Sequence, residues 1–545
     1  MDTQLPLELA AGSEEIPHVS ELIIACVAAV GVDLNPVEEA VTQKLLAMGY
    51  EVVSIRLARD VIPQISGVSG DGYARQFERY WKMMDAGNDV RKKHRPDILS
   101  LGVAAKIAEY RKHNNQTNKK TAFFIRSLKH PAEVVRLRAI YPRGFYLFAV
   151  QASAESRRHY LMYQKDMCKS DANKLMDRDR KEVIKHGQRI VDTYHLADFF
   201  LCVQDESSST AYGRMTLIQT NINRFIEILF GHPNRTPTFS EHAMFHAFSS
   251  SLRSADLSRQ VGAVITRRRD ILSTGANDCP SPHGGLYWPL MNPDTLQIQD
   301  VPGGRDYMNG FDSNRKELIS LGKQIFRNAM SEFNEVIESG AWRQHLNNWA
   351  QLQFAVSQRD LEKELLSRLE DMLAKSPIAD LTEFGRVVHA EMEALLSCAR
   401  KGISTVGATL FTTTFPCHNC AKHIIAAGIR KVVFIEPYLK SKALKLHPDA
   451  IEISYPDPTQ KDTEQRSKKV QFQPFVGVGP RRFFDLFSMG LGSGYQMVRK
   501  DDNTGEAKNW NHSNANARLE MISESFTQRE ALAAEMFFNF LSVET

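Results

Sequence analysis

The segment Phe415-Pro416-Cys417-His418-Asn419-Cys420, which follows Val388-His389-Ala390-Glu391 in the chain, decides how the second half of this protein is interpreted. Each motif opens a stretch with the apolar spacing of a helix, and we predict helices over 388–400 and 417–427. The apolar run 409–413 between them predicts a strand. Helices that alternate with strands indicate an α/β fold.

The same alternation extends over a predicted domain at 239–497. Strands are expected at 261–266 and 271–274, ahead of the two motifs. The block 277–383 is first rich in Gly and Pro and then strongly helical from 313 to 374, and within it we predict a helical insertion at 290–383. A polar tail and a last helix, 498–545, follow.

Residues 1–230 form a predicted domain of their own. Short apolar runs, such as 22–32 and 145–150, alternate with amphipathic stretches, and this βαβ rhythm predicts a mostly parallel sheet. The run 22–32 is well short of the roughly 20 residues that cross a bilayer, so we interpret it as a buried strand and expect no membrane span.

Composition narrows the class of protein. The chain has 545 residues, 43% of them hydrophobic and 24% charged, which favours a globular protein with more than one domain. A net charge of +4 gives no global field for a polyanionic partner. The amino terminus lacks the basic region of a secretory signal, so a cytoplasmic location is expected. Seven cysteines do not make a disulfide framework over this length, and the Cys417/Cys420 pair suggests metal or redox chemistry.

The two motifs together predict a catalytic zinc site. His389, Cys417 and Cys420 supply the three protein ligands of a catalytic Zn²⁺, which leaves the fourth position to water. Cys417 and Cys420 lie on one face at the start of a helix, where the helix dipole favours their thiolates. A His-x-Glu motif with Pro-Cys-x-x-Cys is the signature of zinc deaminases, in which the Glu is not a ligand. Glu391 is therefore the predicted catalytic acid and base.

Less specific interpretations of the same residues remain open. His-Ala-Glu alone is common on surface helices, and Cys-x-x-Cys alone is as often a structural zinc knuckle or a redox pair. A structural site would need a fourth ligand, for which Cys398 and His423 are the candidates.

These motifs, with Ser258-Arg259-Gln260-Val261-Gly262-Ala263-Val264-Ile265 and Ser273-Thr274-Gly275-Ala276-Asn277 before them, resemble the cytidine and deoxycytidylate deaminase family. The resemblance implies a three-layer αβα domain. It also implies that Asn277 contacts the sugar and that the backbone amide of Ala390 binds the pyrimidine carbonyl.

The whole layout resembles a narrower group, the bacterial anti-phage deoxycytidine nucleotide deaminases, in which a P-loop-kinase-like domain precedes the deaminase. The residues that carry this resemblance are Ala29 to Leu34, Ser127 to Glu133, Asp177 to Asp179, His186 to Thr193, Glu436 to Ala443 and Phe475 to Phe483. The resemblance implies deamination of dCTP, and of dCMP, to the uracil nucleotides, which depletes a pool that an infecting phage needs. It also implies a homo-oligomer, with a hexamer as a plausible form.

A triphosphate substrate needs convergent cations. Lys440, Lys442, Arg481 and Arg482 are the candidates near the deaminase motifs, although basic residues in loops are usually solvated.

The amino-terminal domain departs from a working kinase. A P-loop needs a Lys and a Ser or Thr after its last Gly, whereas Gly31 is followed by Val32, Asp33 and Leu34. We therefore predict a degenerate P-loop and a regulatory or oligomerisation role, with a regulatory nucleotide or an inhibitory RNA as possible partners.

Two other functions stay open. A deaminase that edits cytidine or adenosine in RNA or single-stranded DNA would need a basic channel lined with aromatic residues. The run Arg267-Arg268-Arg269 is basic, but it is short and lies in a predicted tight hairpin. A signalling protein with a structural zinc would have no use for Glu391 beside the metal.

Overall fold

The computed structural model describes residues 21–114, 120–181, 187–203, 211–338, 384–436, 441–455, 468–491, 495–512, 515, 517–519 and 523–542, and the isolated positions 368, 369 and 372. The chain divides into two compact units. The first comprises Met1–Phe245, Thr413–His418 and Arg430–Thr545, and the second comprises His246–Thr412 and Asn419–Ile429.

The described strands and helices are numbered here in chain order. The strands are β1 Leu22–Ala28, β2 Glu51–Arg56, β3 Thr121–Arg126, β4 Phe145–Gln151, β5 Phe199–Cys202, β6 Gly262–Arg267, β7 Asp270–Ala276, β8 Leu290–Met291, β9 Ile298–Gln299, β10 Thr409–Thr412, β11 Lys431–Phe434, β12 Ile451–Ile453, β13 Val470–Pro474 and β14 Gly477–Val478. The α-helices are α1 Asn35–Leu46, α2 Ile62–Ser66, α3 Gln76–Lys93, α4 Ile98–His113, α5 Pro131–Ile140, α6 Ala154–His159, α7 Lys169–Lys181, α8 Ile190–Tyr194, α9 Ala211–Leu229, α10 Phe239–Ser251, α11 Asp306–Asn309, α12 Ser313–Glu338, α13 Ala390–Arg400, α14 His418–Ala426, α15 Ala443–Leu446, α16 Phe483–Phe487 and α17 Ser523–Ser542.

The first unit contains a six-stranded sheet in the order β14-β5-β4-β1-β3-β2. Its five long strands are parallel, and only the short β14 runs antiparallel, against β5. Every residue of β1 and of β4 is buried, as expected for central strands covered by helices on both faces. The predicted parallel sheet is therefore confirmed.

The last helix belongs to this first unit. Glu530 of α17 is buried, accepts a hydrogen bond of 2.6 Å from the Tyr141 hydroxyl and forms an ion pair with Arg111 of α4. Arg111 also pairs with Glu21 at 2.6 Å. Two buried carboxylates thus share one guanidinium, which ties the carboxyl-terminal helix to the start of β1 and to α4.

The second six-stranded sheet has the order β12-β13-β11-β10-β6-β7. β6 runs antiparallel to both β7 and β10, whereas β13 runs parallel to β11 and to β12.

Two glycines set the distance between this sheet and its helices in the second unit. A Cβ on Gly262 of β6 would lie 1.8 Å from the carbonyl oxygen of Ala247 in α10, and a Cβ on Gly275 of β7 would lie 2.2 Å from that of Ala390 in α13. Gly275 pairs with Ala263, the neighbour of Gly262, so the two glycines face opposite sides of the sheet. Helix, sheet and helix therefore form three layers.

The insertion begins with a hairpin, β8 and β9, followed by α11 and α12. Two ion pairs join its base to flanking residues of the same unit: Arg305 lies 3.4 Å from Asp278, and Arg386 lies 3.3 Å from Asp306. Of the helical stretch predicted from 313 onwards, the structure describes α12; the remainder lies outside the described residues, apart from isolated positions.

In the described residues we find no helix with the length and apolar character that a membrane span requires.

The glycine contacts make a stability prediction. Gly275→Ala should lower the free energy of unfolding by about 1–3 kcal/mol, because the new methyl group overlaps the first turn of α13. Denaturant unfolding measures this change. Gly490→Ala is the matched control, because a Cβ there meets no atom within 4 Å, and equal destabilisation by both variants would contradict the close approach.

Candidate metal centre

His389 and Glu391 lie at the start of α13. His389 is the N-cap residue, with the extended backbone angles φ −68° and ψ 150°, and its carbonyl accepts the first helical hydrogen bond, 2.9 Å from the Glu393 amide. Ala390 is the first helical residue and is completely buried. The change from extended to helical backbone between His389 and Glu391 allows two side chains only two residues apart to serve one centre.

His389, Cys417 and Cys420 form a group that could hold a metal ion. Their ligand atoms all lie within 4.8 Å of one another, and His389 Nδ1 is 3.3 Å from Cys420 Sγ. Cys417 immediately precedes α14 and Cys420 lies in its first turn, where the helix dipole favours thiolates. Two thiolates and one imidazole are a ligand set of catalytic zinc, so these residues fit that metal.

The alternative fourth ligands are engaged elsewhere. Cys398 Sγ lies 3.1 Å from the Ser273 hydroxyl, and His423 Nδ1 lies 2.7 Å from the carbonyl oxygen of Asn419. Over the described parts of the chain, neither side chain joins the metal group. The contacts of Cys398 and His423 therefore do not support a structural site with four protein ligands.

The Glu391 carboxylate lies beside this group. It is 3% exposed, and its two oxygens have different neighbours: Oε1 accepts a hydrogen bond of 3.3 Å from the Thr412 hydroxyl, and Oε2 is 3.5 Å from Cys420 Sγ. A buried carboxylate next to a metal group has the position that a proton-transferring residue needs. The sequence does not single out Thr412, because the pattern of a buried strand does not indicate which of its side chains contacts Glu391.

A second carboxylate supports the loop before Cys417. Glu436, just after β11, is buried and accepts a hydrogen bond of 2.9 Å from the Phe415 amide. The Phe415 ring packs edge-on against Phe434 at 4.9 Å. In the sequence Glu436 belongs to a segment that carries a family resemblance, and no local pattern indicates its contact with the backbone of this loop.

Asn277 lies at the end of β7 and is almost fully buried. Its Oδ1 accepts a hydrogen bond of 2.6 Å from the Val261 amide, and its Nδ2 donates one of 2.7 Å to the Arg259 carbonyl. The side chain thus holds the segment that enters β6. The sugar contact stays a prediction, as does the pyrimidine contact of the Ala390 amide.

The candidate phosphate-binding cations have varied surroundings. Lys440 lies outside the described residues, and Lys442 is exposed at the start of α15. In the first unit, Arg481 Nε donates to the His195 carbonyl at 3.3 Å, and burial lowers the pKa of its guanidinium. Arg482 pairs with Asp198 at 3.2 Å and with Asp485 at 2.8 Å, so two carboxylates already balance its charge.

The loop after β1, predicted as a degenerate P-loop, packs into the first unit. Gly31 has a positive φ of 87°, Val32 and Leu34 are buried, and Asp33 accepts a hydrogen bond of 3.0 Å from the Asn35 amide. The Val30 amide donates to Asp179 Oδ2 at 2.7 Å.

Asp179 therefore brings a negative charge to the loop where a parallel α/β sheet usually binds phosphate. Lys129 lies 3.7 Å from Asp179 Oδ1 and donates to the Ala28 carbonyl at 2.6 Å. The Asp179 carboxylate therefore accepts a hydrogen bond from the Val30 amide and lies near Lys129, two groups that could otherwise bind a phosphate. Its negative charge disfavours a phosphate at this loop.

The ligand set makes a prediction about metal content. Cys417→Ser and Cys420→Ser should each lower the zinc bound per chain, because a hydroxyl replaces a thiolate ligand. Elemental analysis of the purified protein measures this content. Cys398→Ser is the control and should keep the zinc of the unsubstituted protein; equal loss in all three variants would contradict the assigned ligands.

The three residues of the metal group lie in the part of the chain that is similar to known proteins. Residues 237–436 match the model of the cytidine and deoxycytidylate deaminase zinc-binding region. The chain is 44% identical over 68 residues to ComE operon protein 2 of Bacillus subtilis, and 49% identical over 55 residues to the deoxycytidylate deaminase of Enterobacteria phage T2. These alignments cover 12% and 10% of this chain and 33% and 29% of the two relatives.

Among solved structures, the dCMP deaminase of cyanophage S-TIM5 in complex with dCMP and dUMP aligns with 44% of this chain and 98% of its own, at 17% identity and a TM-score of 0.21. A score this low supports no inference about the fold. The chain spans about a third of the length of the curated relatives that it matches. The family model and the sequence relatives support the cytidine and deoxycytidylate deaminase family for residues 237–436, the region that holds the metal group.

Proposed function

We propose that this protein is a zinc-dependent hydrolytic deaminase that converts dCTP and dCMP to dUTP and dUMP. The observation that carries the proposal is the buried Glu391 carboxylate beside the His389, Cys417 and Cys420 group. Its similarity to deoxycytidylate deaminases in the same region supports a deoxycytidine nucleotide as substrate.

His389, Cys417 and Cys420 would hold the metal. Zinc bound there would lower the pKa of water from about 15.7 to about 7 and so make a nucleophile available at neutral pH. The two thiolates and the imidazole leave one coordination position for that water.

Glu391 carries the protons in this proposal. It would accept a proton from the attacking water and deliver it to the ring nitrogen next to the carbon under attack. It would then take a second proton from the new hydroxyl on that carbon and pass it to the amine, so that the carbonyl forms as the C–N bond breaks and ammonia leaves. The side chain is 3% exposed, so bulk water does not compete for its protons. One carboxylate therefore serves both halves of the hydrolysis.

The remaining parts of the chain have proposed roles of their own. Asn277 and the Ala390 amide would bind the sugar and the base, and Lys440 and Arg481 would bind phosphates. Deamination of dCTP would deplete a nucleotide pool in defence against phage. Asp179 beside the loop after β1 argues against phosphoryl transfer at the first sheet. A regulatory role for this sheet, with a nucleotide or an inhibitory RNA as effector and a homo-oligomer as the working form, stays a prediction.

The test is a substrate panel. We expect ammonia release and uracil-nucleotide formation from dCTP and dCMP, with weaker turnover of CTP, deoxycytidine and a cytosine-containing oligonucleotide. Glu391→Gln should lower turnover by about 10²–10⁴-fold, because it removes the acid and base and keeps the shape of the side chain. Zinc content should not change.

Glu393→Gln is the matched control, because Glu393 lies in the same helix turn but pairs with Arg400 at 2.5 Å. Its turnover should stay close to that of the unsubstituted protein. Turnover of the oligonucleotide alone would replace the nucleotide substrate with a polymer. No turnover of any of the five compounds would contradict the deaminase proposal.

A further inference from the structure

Thr412 is a buried hydroxyl that the proposed chemistry does not yet use. It is the last residue of β10, none of its surface is exposed, and its Oγ1 lies 3.3 Å from Glu391 Oε1. We propose that Thr412 is a positioning residue that holds the Glu391 carboxylate in its working orientation. The inference rests on the proposed function, since it assigns Glu391 the proton transfers.

The position of the hydroxyl is set by the sheet. Thr412 pairs with Ala263 of β6 in the antiparallel ladder, and both residues are completely buried. A β-branched side chain in a strand has few χ1 rotamers, so a threonine hydroxyl is a stiff donor. The donor is therefore held by a strand, whereas the acceptor is at the end of a flexible glutamate side chain.

The two carboxylate oxygens have different tasks in this arrangement. Oε1 accepts the hydrogen bond from Thr412, and Oε2 lies 3.5 Å from Cys420 Sγ on the side of the metal group. With one oxygen held by the sheet, the other faces the metal group without rotation of the carboxylate. The Thr412 hydroxyl thus selects the orientation in which Oε2 can exchange protons with water and substrate.

Thr412 acts through Glu391 and not on the metal. It is not one of the three residues of the metal group, and the hydroxyl is not among the usual zinc ligands. Partners of this kind, one step removed from the metal, commonly contribute 10–100-fold to activity or metal affinity, with a positioned ligand or base as the reason. The expected effect is therefore on turnover, with zinc retained.

The experiment compares three substitutions on β10 in the full chain. Thr412→Val keeps the shape of the side chain and removes the hydroxyl, Thr412→Ser keeps the hydroxyl, and Thr409→Val is the control on the same strand. Steady-state turnover of dCMP and dCTP gives kcat and KM. Elemental analysis gives the zinc content, and thermal unfolding gives the midpoint of each variant.

We expect Thr412→Val to lower kcat by about 10-fold or more with little change in KM, because the hydrogen bond acts on the transition state. Thr412→Ser should recover most of the lost kcat. Zinc content and unfolding midpoint should match those of Thr409→Val, which should turn over like the unsubstituted protein.

Three results would overturn the positioning role: full kcat in Thr412→Val, a Thr412→Ser variant as slow as Thr412→Val, or a fall in kcat that accompanies loss of zinc. Each presupposes an active unsubstituted protein. An unsubstituted protein that turns over no nucleotide would instead refute the proposed function, and with it the role of Thr412, so the two failures are distinguishable.

Discussion

The close approach of α13 to β7 is the constraint on which the metal centre depends. Gly275 has no side chain, so the carbonyl of Ala390 can lie where a Cβ would otherwise be. The Ser273 hydroxyl then donates to the Ala394 carbonyl at 2.8 Å, one turn further along the helix. On the other side of the turn, Asp278 and Val388 exchange backbone hydrogen bonds of 3.3 and 2.9 Å. Backbone contacts thus hold the first turn of α13, and this turn sets the directions of its metal ligand and its carboxylate.

Buried carboxylates are the second recurrent feature, and each has partners that offset its desolvation. Glu391 accepts from Thr412, Glu436 accepts from the Phe415 amide, and Asp179 accepts from the Val30 amide. Glu391 lies beside the metal ligand Cys420, and Glu436 supports the loop that precedes Cys417. Asp179 of α7 reaches the loop after β1 and accepts from a backbone amide there, as an anionic ligand does in many parallel α/β sheets. Hydrogen bonds therefore offset the desolvation of carboxylates both near the metal group and at the loop after β1, and at that loop the carboxylate disfavours phosphate.

Motifs with fixed spacing could be predicted from the sequence, and contacts between distant segments could not. The spacing of His389, Cys417 and Cys420 predicts one metal group, and the structure brings these residues together. The βαβ rhythm predicts the parallel sheet, which is confirmed. The hydrogen bonds of Thr412 and Glu436 could not be predicted, because the partner of each lies 21 residues away and no periodicity relates the two positions. The charge balance of Arg482 and the packing of α17 against α4 likewise depend on tertiary contacts.

The most direct test of the central claim is the dependence of dCMP and dCTP turnover on zinc. The protein is stripped of metal with a chelator, shown by circular dichroism to remain folded, and assayed before and after zinc is added back in known amounts. The account predicts that turnover disappears with the metal and returns in proportion to zinc, up to one ion per chain at the His389, Cys417 and Cys420 group. Turnover that persists in the folded, zinc-free protein would contradict it.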